Sequence, residues 1–367
     1  MNDRRSLILG MAIVGLVSAG SLFIALYPHA AMLDSAPAPA ETKANSTPNK
    51  AKSVLIQWVG DLTPGSRYGL PPSHGKGQLS GVASHLRSAD LTIGNLEGTL
   101  TNGGSDKCHG SPNCYSFRAP PGWVEGMRWA GFDLMNLANN HAFDFAGEGQ
   151  RQTIQTLRKA GIHYSGLPGQ ITVINRNGLR VALVGFAPYP WAASLTNSSS
   201  AANLVKRASH QADLVVVMIH AGAEGSDRGH VPKGTEYAFG ENRGNSREFT
   251  HRMIRAGADL VVGSGPHVVR GMEWYRGRLI AYSAGNFAGW HNFGLGGNLS
   301  ESALLRVRLE SSGRWQSGRW MSVWIREPGY PVLDSSARSA RHANGLSRTD
   351  LGHSAVLVGA NGTIQIP

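Results

Sequence analysis

The chain holds only two cysteines in 367 residues, so no disulfide scaffold can stand in for a hydrophobic core. It lacks a Gly-x-x-x-x-Gly-Lys-Ser/Thr segment to cradle nucleotide phosphates and a Gly-x-Ser-x-Gly turn to present a serine nucleophile. Acidic residues are scarce: 24 Asp+Glu face 35 Lys+Arg, for a formal charge of +11. That excess favours a polyanionic partner such as nucleic acid, anionic lipid or an acidic polymer. The basic residues are scattered singly, without interleaved aromatics or a helix-turn-helix pattern, which argues against nucleic acid. Apolar residues are plentiful, at 41%, which excludes a disordered or fibrous chain. A chain of this length buries about three quarters of its unfolded surface, so it needs no staples.

Behind Arg4 and Arg5, residues 7–27 form an uncharged, mostly apolar run of about the length that crosses a hydrocarbon core as a helix. Cleavable signals have shorter apolar regions, and the Ala-x-Ala-like sites at residues 36–40 lie well beyond this one, so an uncleaved anchor is expected over residues 1–27. The two arginines place the N-terminus in the cytoplasm of a single-pass cell-membrane protein, with the rest of the chain outside. Residues 28–53, rich in Ala, Pro, Ser, Thr and Lys, read as a linker, and residues 54–367 as one extracytoplasmic domain. An oxidising compartment favours a Cys108–Cys114 disulfide over two free thiols.

From residue 54 short apolar runs alternate with helical patterns near residues 122–130, 147–160 and 245–256, which predicts an α/β domain. Asn177-Gly178 and Arg276-Gly277 mark hairpins, so the sheets are mixed. The polar Ser/Arg stretch 335–353 reads as a mobile loop before a final strand at 355–358. Five apolar runs end in small residues followed by a polar group: Gly60-Asp61, Gly94-Asn95-Leu96-Glu97, Ala138-Asn139-Asn140-His141, His220-Ala221-Gly222-Ala223-Glu224 and Gly263-Ser264-Gly265-Pro266-His267. Ligands bind at the carboxyl ends of strands in α/β sheets, so these ends are expected to converge.

Asp61, Glu97, Asn140, His220 and His267 supply the oxygen and imidazole donors that suit one or two ions of Mn, Fe or Zn. Such a centre acidifies a bound water and holds an oxyanion, as hydrolysis of a phosphate ester requires. Asp61 and Glu97 could instead work as the paired carboxylates of a glycosidase, a reading that leaves three histidines idle.

The segments Trp58-Val59-Gly60-Asp61, Thr92–Gly98, Asn136–Asp144, Val217–Glu224, Gly263–Val269 and Tyr282-Ser283-Ala284-Gly285-Asn286-Phe287 resemble the CapA family of capsule and poly-γ-glutamate synthesis proteins. The resemblance implies a four-layer α-β-β-α sandwich of mixed sheets similar to the calcineurin-like metallophosphoesterases. It also implies a role in making or exporting an anionic γ-linked glutamate polymer, beside other membrane subunits of capsule synthesis. Carried over by position, Asp61 resembles the first metal-binding aspartate, Glu97 stands near the bridging acid, and Asn140 resembles an amide ligand. His141 resembles the group that protonates a leaving oxygen, with Asp61 as its catalytic companion, and His220 and His267 resemble the later imidazole ligands. Asn95, Glu224, Arg243 and Asn286 are the candidate substrate contacts.

The departures are also informative. Asp61 is followed by Leu62-Thr63 rather than x-His, Asn95 stands where phosphoesterases carry aspartate, and Ser264-Gly265 reduce the last histidine pair. These losses favour a single ion or a polar pocket for polymer carboxylates. A stand-alone phosphoesterase and a non-catalytic polyanion-binding module are therefore the alternatives to a capsule-synthesis protein with a working site. Arg228, His230, Lys233, Arg243 and Arg247 form either an anion grip or a mixed-charge loop with Glu236, Glu241 and Glu248. Trp274, Trp290, Trp315, Trp320 and Trp324 read as packing residues.

Overall fold

The parallel strand Leu214–His220 is buried at every position, because both faces of its sheet are covered. The computed structural model describes residues 52–292 and 294–367. The expected anchor and nearly all of the expected linker lie outside these residues. Among the described residues, no helix is long and apolar enough to cross a membrane.

Two eight-stranded mixed sheets carry the domain. The first runs Tyr330–Leu333, Trp315–Arg326, Glu301–Glu310, Ser53–Thr63, Leu91–Leu96, Leu134–Asn136 and His163–Ser165, with Asn286–Gly289 also pairing with Ser53–Thr63. The second runs Ile364–Gln365, Ala355–Val358, Met272–Tyr275, Arg278–Ala281, Leu260–Ser264, Leu214–His220, Leu179–Phe186 and Thr172–Arg176. Both expected hairpins are present, at Thr172–Arg176 with Leu179–Phe186 and at Met272–Tyr275 with Arg278–Ala281.

Alternate residues show how the layers stack. Ile56, Trp58 and Ile93 of the first sheet share one buried cluster with Leu183, Val216 and Val262 of the second, so these faces meet. The Trp58 indole N–H crosses the gap to the Gly263 carbonyl at 3.1 Å. The opposite face of the second sheet packs Val215 and Val217 against Leu204 of helix Ser198–Gln211 and Met253 of helix Ser246–Arg255. The opposite face of the first sheet packs Leu96 and Met135 against Met127 of helix Val124–Ala130 and Leu157 of helix Ala146–Lys159. The result is the expected α-β-β-α order.

One segment differs. Residues expected to form a mobile loop contain the helix Arg338–Leu351. Its Ala340 and Ala343 join the core between the sheets, and its polar residues are spent inside. Ser339 Oγ accepts from the Trp320 indole at 3.1 Å, and Ser347 Oγ from the Met272 amide at 2.9 Å. Serines that fill backbone and indole valences lower the apparent hydropathy of a packed helix, which hides it. Trp320 is buried, and Trp274 and Trp315 meet edge to face at 5.6 Å, as packing residues do. Cys108 and Cys114 are disulfide-bonded.

Candidate metal centre

Strand register brings the functional side chains together. Asp61 lies beside Asn286 on one side and Asn95 on the other, and Asn95 lies beside Asn136. In the facing sheet His220 lies beside Ser264. All these positions are at or beyond the carboxyl ends of parallel strands except Asn286, which begins one. The register shifts on both sides of Asp61, and such bulges re-aim a side chain. Gly60 is required there: a Cβ at this position would sit 1.7 Å from the Gly285 carbonyl oxygen, whose hydrogen bond with the Asp61 amide locks the two segments together.

Asp61, Glu97 and His220 form a buried group whose donor atoms all lie within 4.8 Å of one another. His220 Nδ1 is 3.7 Å from Asp61 Oδ1, and its Nε2 is 3.7 Å from Glu97 Oε1. On the other side His267 Nδ1 is 3.4 Å from Asp61 Oδ2, and its Nε2 is 3.7 Å from Glu97 Oε1. The two carboxylates thus lie between two imidazoles. Most of these gaps are too long for hydrogen bonds. With one nitrogen used from a ring, a gap of this size suits two ligands of one ion, since donors about 2.1 Å from a tetrahedral centre are about 3.4 Å apart.

Asp61 Oδ2, both Glu97 oxygens, Asn140 Oδ1 and His220 Nε2 are buried with no hydrogen-bond partner. Orphaned carboxylate oxygens of Asp61 and Glu97 beside His220 are costly unless a donor or a cation meets them, and these three residues fit a divalent ion.

The electrostatics agree. Burial alone raises the Asp61 carboxyl, but the neighbouring imidazoles of His220 and His267 outweigh it and hold the group far below the usual range. Burial, with the Asp61 charge added, pushes Glu97 well up. Burial lowers the His267 imidazole, yet Glu97, Asp61 and Glu224 outweigh that and raise it well above its ordinary value. His267 holds φ +64°, an uncommon backbone region for a residue with a side chain, and Asn286 Oδ1 meets its Nδ1 at 2.9 Å.

Around this centre the asparagines divide their work. Asn95 donates to Asp61 Oδ1 at 2.7 Å and faces His220 Nδ1 at 3.1 Å, while its own oxygen accepts from Asn136 and Asn139. Asn139 also accepts from the His141 amide at 3.0 Å. Asn140 turns the other way and donates to Glu224 at 3.2 Å. Of the candidate substrate contacts, Asn95 is fully buried and holds Asp61, while Asn286 holds His267 and also lines the cavity beside it.

His141 stands at the edge of a cavity of about 400 Å³ that Glu224, His267, Tyr115 and Phe239 also line. Its Nδ1 is 2.8 Å from Asp144 Oδ2, and Lys107 meets the other Asp144 oxygen at 2.6 Å. Burial holds the His141 imidazole below its usual range despite the Asp144 charge. Asp144 has no role in the sequence reading, although its spacing of three from His141 was the available signal. Lys107 was not legible, because the loop around Cys108 and Cys114 brings it from a distant position.

Arg243 is nearly buried and pairs with Glu224 at 2.6 Å and Glu241 at 3.1 Å. Of the two readings of this segment, an anion grip or a mixed-charge loop, the ion pairs favour the second. Arg247 turns to Glu273, His230 to Asp350 and Arg228 to Asp227, each neutralised separately.

Fold and site together define a two-sheet α/β protein whose strand ends bury a carboxylate–imidazole group that suggests a metal centre. A family model described as "Bacterial capsule synthesis protein PGA_cap" matches residues 55–289, and the chain belongs to that family. The chain is similar to the capsule biosynthesis protein CapA of Bacillus anthracis, 28% identical over 255 residues, covering 63% of this chain and 57% of that protein. It is also similar to the PGA biosynthesis protein CapA of Bacillus subtilis, 27% identical over 288 residues, covering 71% and 69%. The first match spans little more than half of the relative's length. Among solved structures, a 5'-nucleotidase precursor from Thermus thermophilus superposes with a TM-score of 0.43 at 15% identity, covering 77% of this chain and 54% of that one.

Proposed function

We propose that the chain is a capsule-synthesis protein acting on an anionic glutamate polymer, with a divalent-metal hydrolase centre of the phosphoesterase kind at its strand ends. The observation that carries this reading is the set of orphaned buried atoms on Asp61, Glu97 and His220, whose donor atoms lie close enough together for one cation to meet them. Asp61, Glu97, His220 and His267 would hold the ion, of the Mn, Fe or Zn class, and Asn140 would offer its amide oxygen. Such an ion would supply Lewis acidity and lower the pKa of a water. His141, steadied by Asp144 and open to the cavity, delivers a proton to the leaving oxygen of a phosphate ester or the leaving nitrogen of an amide. Glu224, paired with Arg243 at 2.6 Å, lines the cavity wall. In this reading the domain works outside the cytoplasm, tethered by residues 1–27 beside other membrane subunits of the capsule machinery.

The test is the metal content of the purified chain, with turnover of a generic phosphate ester with and without Mn²⁺. Wild type should carry metal and Asp61→Asn should lose it together with turnover. A wild type that holds no metal and turns over no ester with any ion, yet binds poly-γ-glutamate, leaves a binding module on this fold.

A further inference from the structure

A cavity of about 870 Å³ lies apart from the metal centre and shares no lining residue with the cavity beside His141. It runs between helix Ser198–Gln211 and the loop 187–196, with Phe186, Ala201 and Leu204 at its floor. No Asp or Glu lines it. Asn203, Lys206, Arg207 and His210 line its helical side at spacings of three and four, which places them on one face. Lys206, Arg207 and His210 are exposed, and among the described residues none has an ion-pair partner. Arg243 and Arg247, by contrast, are tied to carboxylates.

One loop links the groove to residues that brace the metal centre. Tyr189, Ala192 and Ala193 line the groove, while Trp191 from the same loop donates to the Asn139 carbonyl at 2.9 Å. Tyr189 stacks on Trp191 at 5.1 Å and donates to Glu241, which also pairs with Arg243. A chain lying in the groove therefore passes within one loop of the residues around Glu224.

We propose that this groove is a docking surface for an acidic polypeptide chain, which it holds by its carboxylates beside the metal centre. Charge complementarity carries the choice: a groove without acids, with Lys206 and Arg207 unpaired on its helical wall, attracts a polymer bearing a carboxylate on every unit. Naming the polymer as γ-linked polyglutamate rests on the capsule reading above.

The experiment uses the full chain with its metal and measures binding of poly-γ-glutamate at low and at high salt. Lys206→Glu combined with Arg207→Glu should weaken binding about tenfold or more at low salt and flatten its salt dependence, leaving metal content and ester turnover unchanged. The control reverses Arg151 and Lys159, exposed cations of helix Ala146–Lys159 outside this groove, and should bind as wild type does. Equal weakening by the control, unchanged binding by the groove variant, or no binding by wild type each overturns the proposal. So does tighter binding of a DNA oligonucleotide of equal charge at this face. Metal content and ester turnover report separately on the hydrolase reading, so the two can fail independently.

Discussion

Two regions of the protein bury ionisable groups, and they treat them in opposite ways. Beneath helix Ser246–Arg255, Glu273 receives Tyr282 Oη at 2.6 Å, His251 Nε2 at 2.9 Å and Ser354 Oγ at 3.0 Å, so both oxygens are occupied. At the strand ends Glu97 is as deeply buried and neither of its oxygens has a hydrogen-bond partner. Burial of charge is common to both, so burial alone does not mark a site. The unfilled valences do: the first region is complete as folded, and the second is built to be completed by something else.

Substitutions at the two regions should therefore differ in kind. The largest expected effect is at His141, where His141→Ala should lower turnover about 10²- to 10⁴-fold while bound metal, measured by elemental analysis, stays as in wild type. Loss of metal in that variant would place His141 among the ligands instead. Next is Glu273→Gln, expected to cost about 2 kcal/mol in denaturant unfolding with or without chelator, because it breaks a satisfied buried network. Glu97→Gln should behave in the opposite sense: within about 1 kcal/mol of wild type in chelator, but without the rise in melting temperature that added Mn²⁺ gives wild type. If both variants lose the same stability in chelator, the contrast between the regions is false.

The smallest expected effect is a pH dependence. Burial raises the Glu273 carboxyl, but hydrogen bonds from His251 and Tyr282 outweigh it and hold it below its ordinary value. A depressed folded-state pKa contributes stability that is present above the unfolded value of about 4.3 and lost as pH falls through the folded value. The stability gap between wild type and Glu273→Gln should thus narrow in acid, as urea midpoints at neutral and acidic pH would show.

The strand ends were legible because their signal is local: an apolar run, a small residue that lets backbones approach, then a donor side chain. Gly60-Asp61 is the clearest case, since the glycine is demanded by the Gly285 carbonyl and the carboxylate follows it directly. The roles of Asn95 and Asn286 were less legible, because facing inward or outward depends on register and bulges that no single segment carries. Helix Arg338–Leu351 was misread because its serines bond within the fold, and residue type does not disclose the partner. The basic segment after His220 was open for the same reason, since its acids sit on other elements: Asp350 for His230 and Glu273 for Arg247. Lys206 and Arg207 passed unremarked because an unpaired cation differs from a paired one only in its surroundings.

By itself the sequence determined the α/β class, the family, and which side chains carry donor atoms at strand ends, because periodicity and short motifs act over a few residues. Only the tertiary structure decided that Asp61 and Glu97 lie between His220 and His267, that Asn95 and Asn286 serve as supports, and where positive charge stays uncompensated. Distances between remote segments are set by sheet register and by the packing of one sheet on the other, and charge is neutralised or left free only once those distances exist.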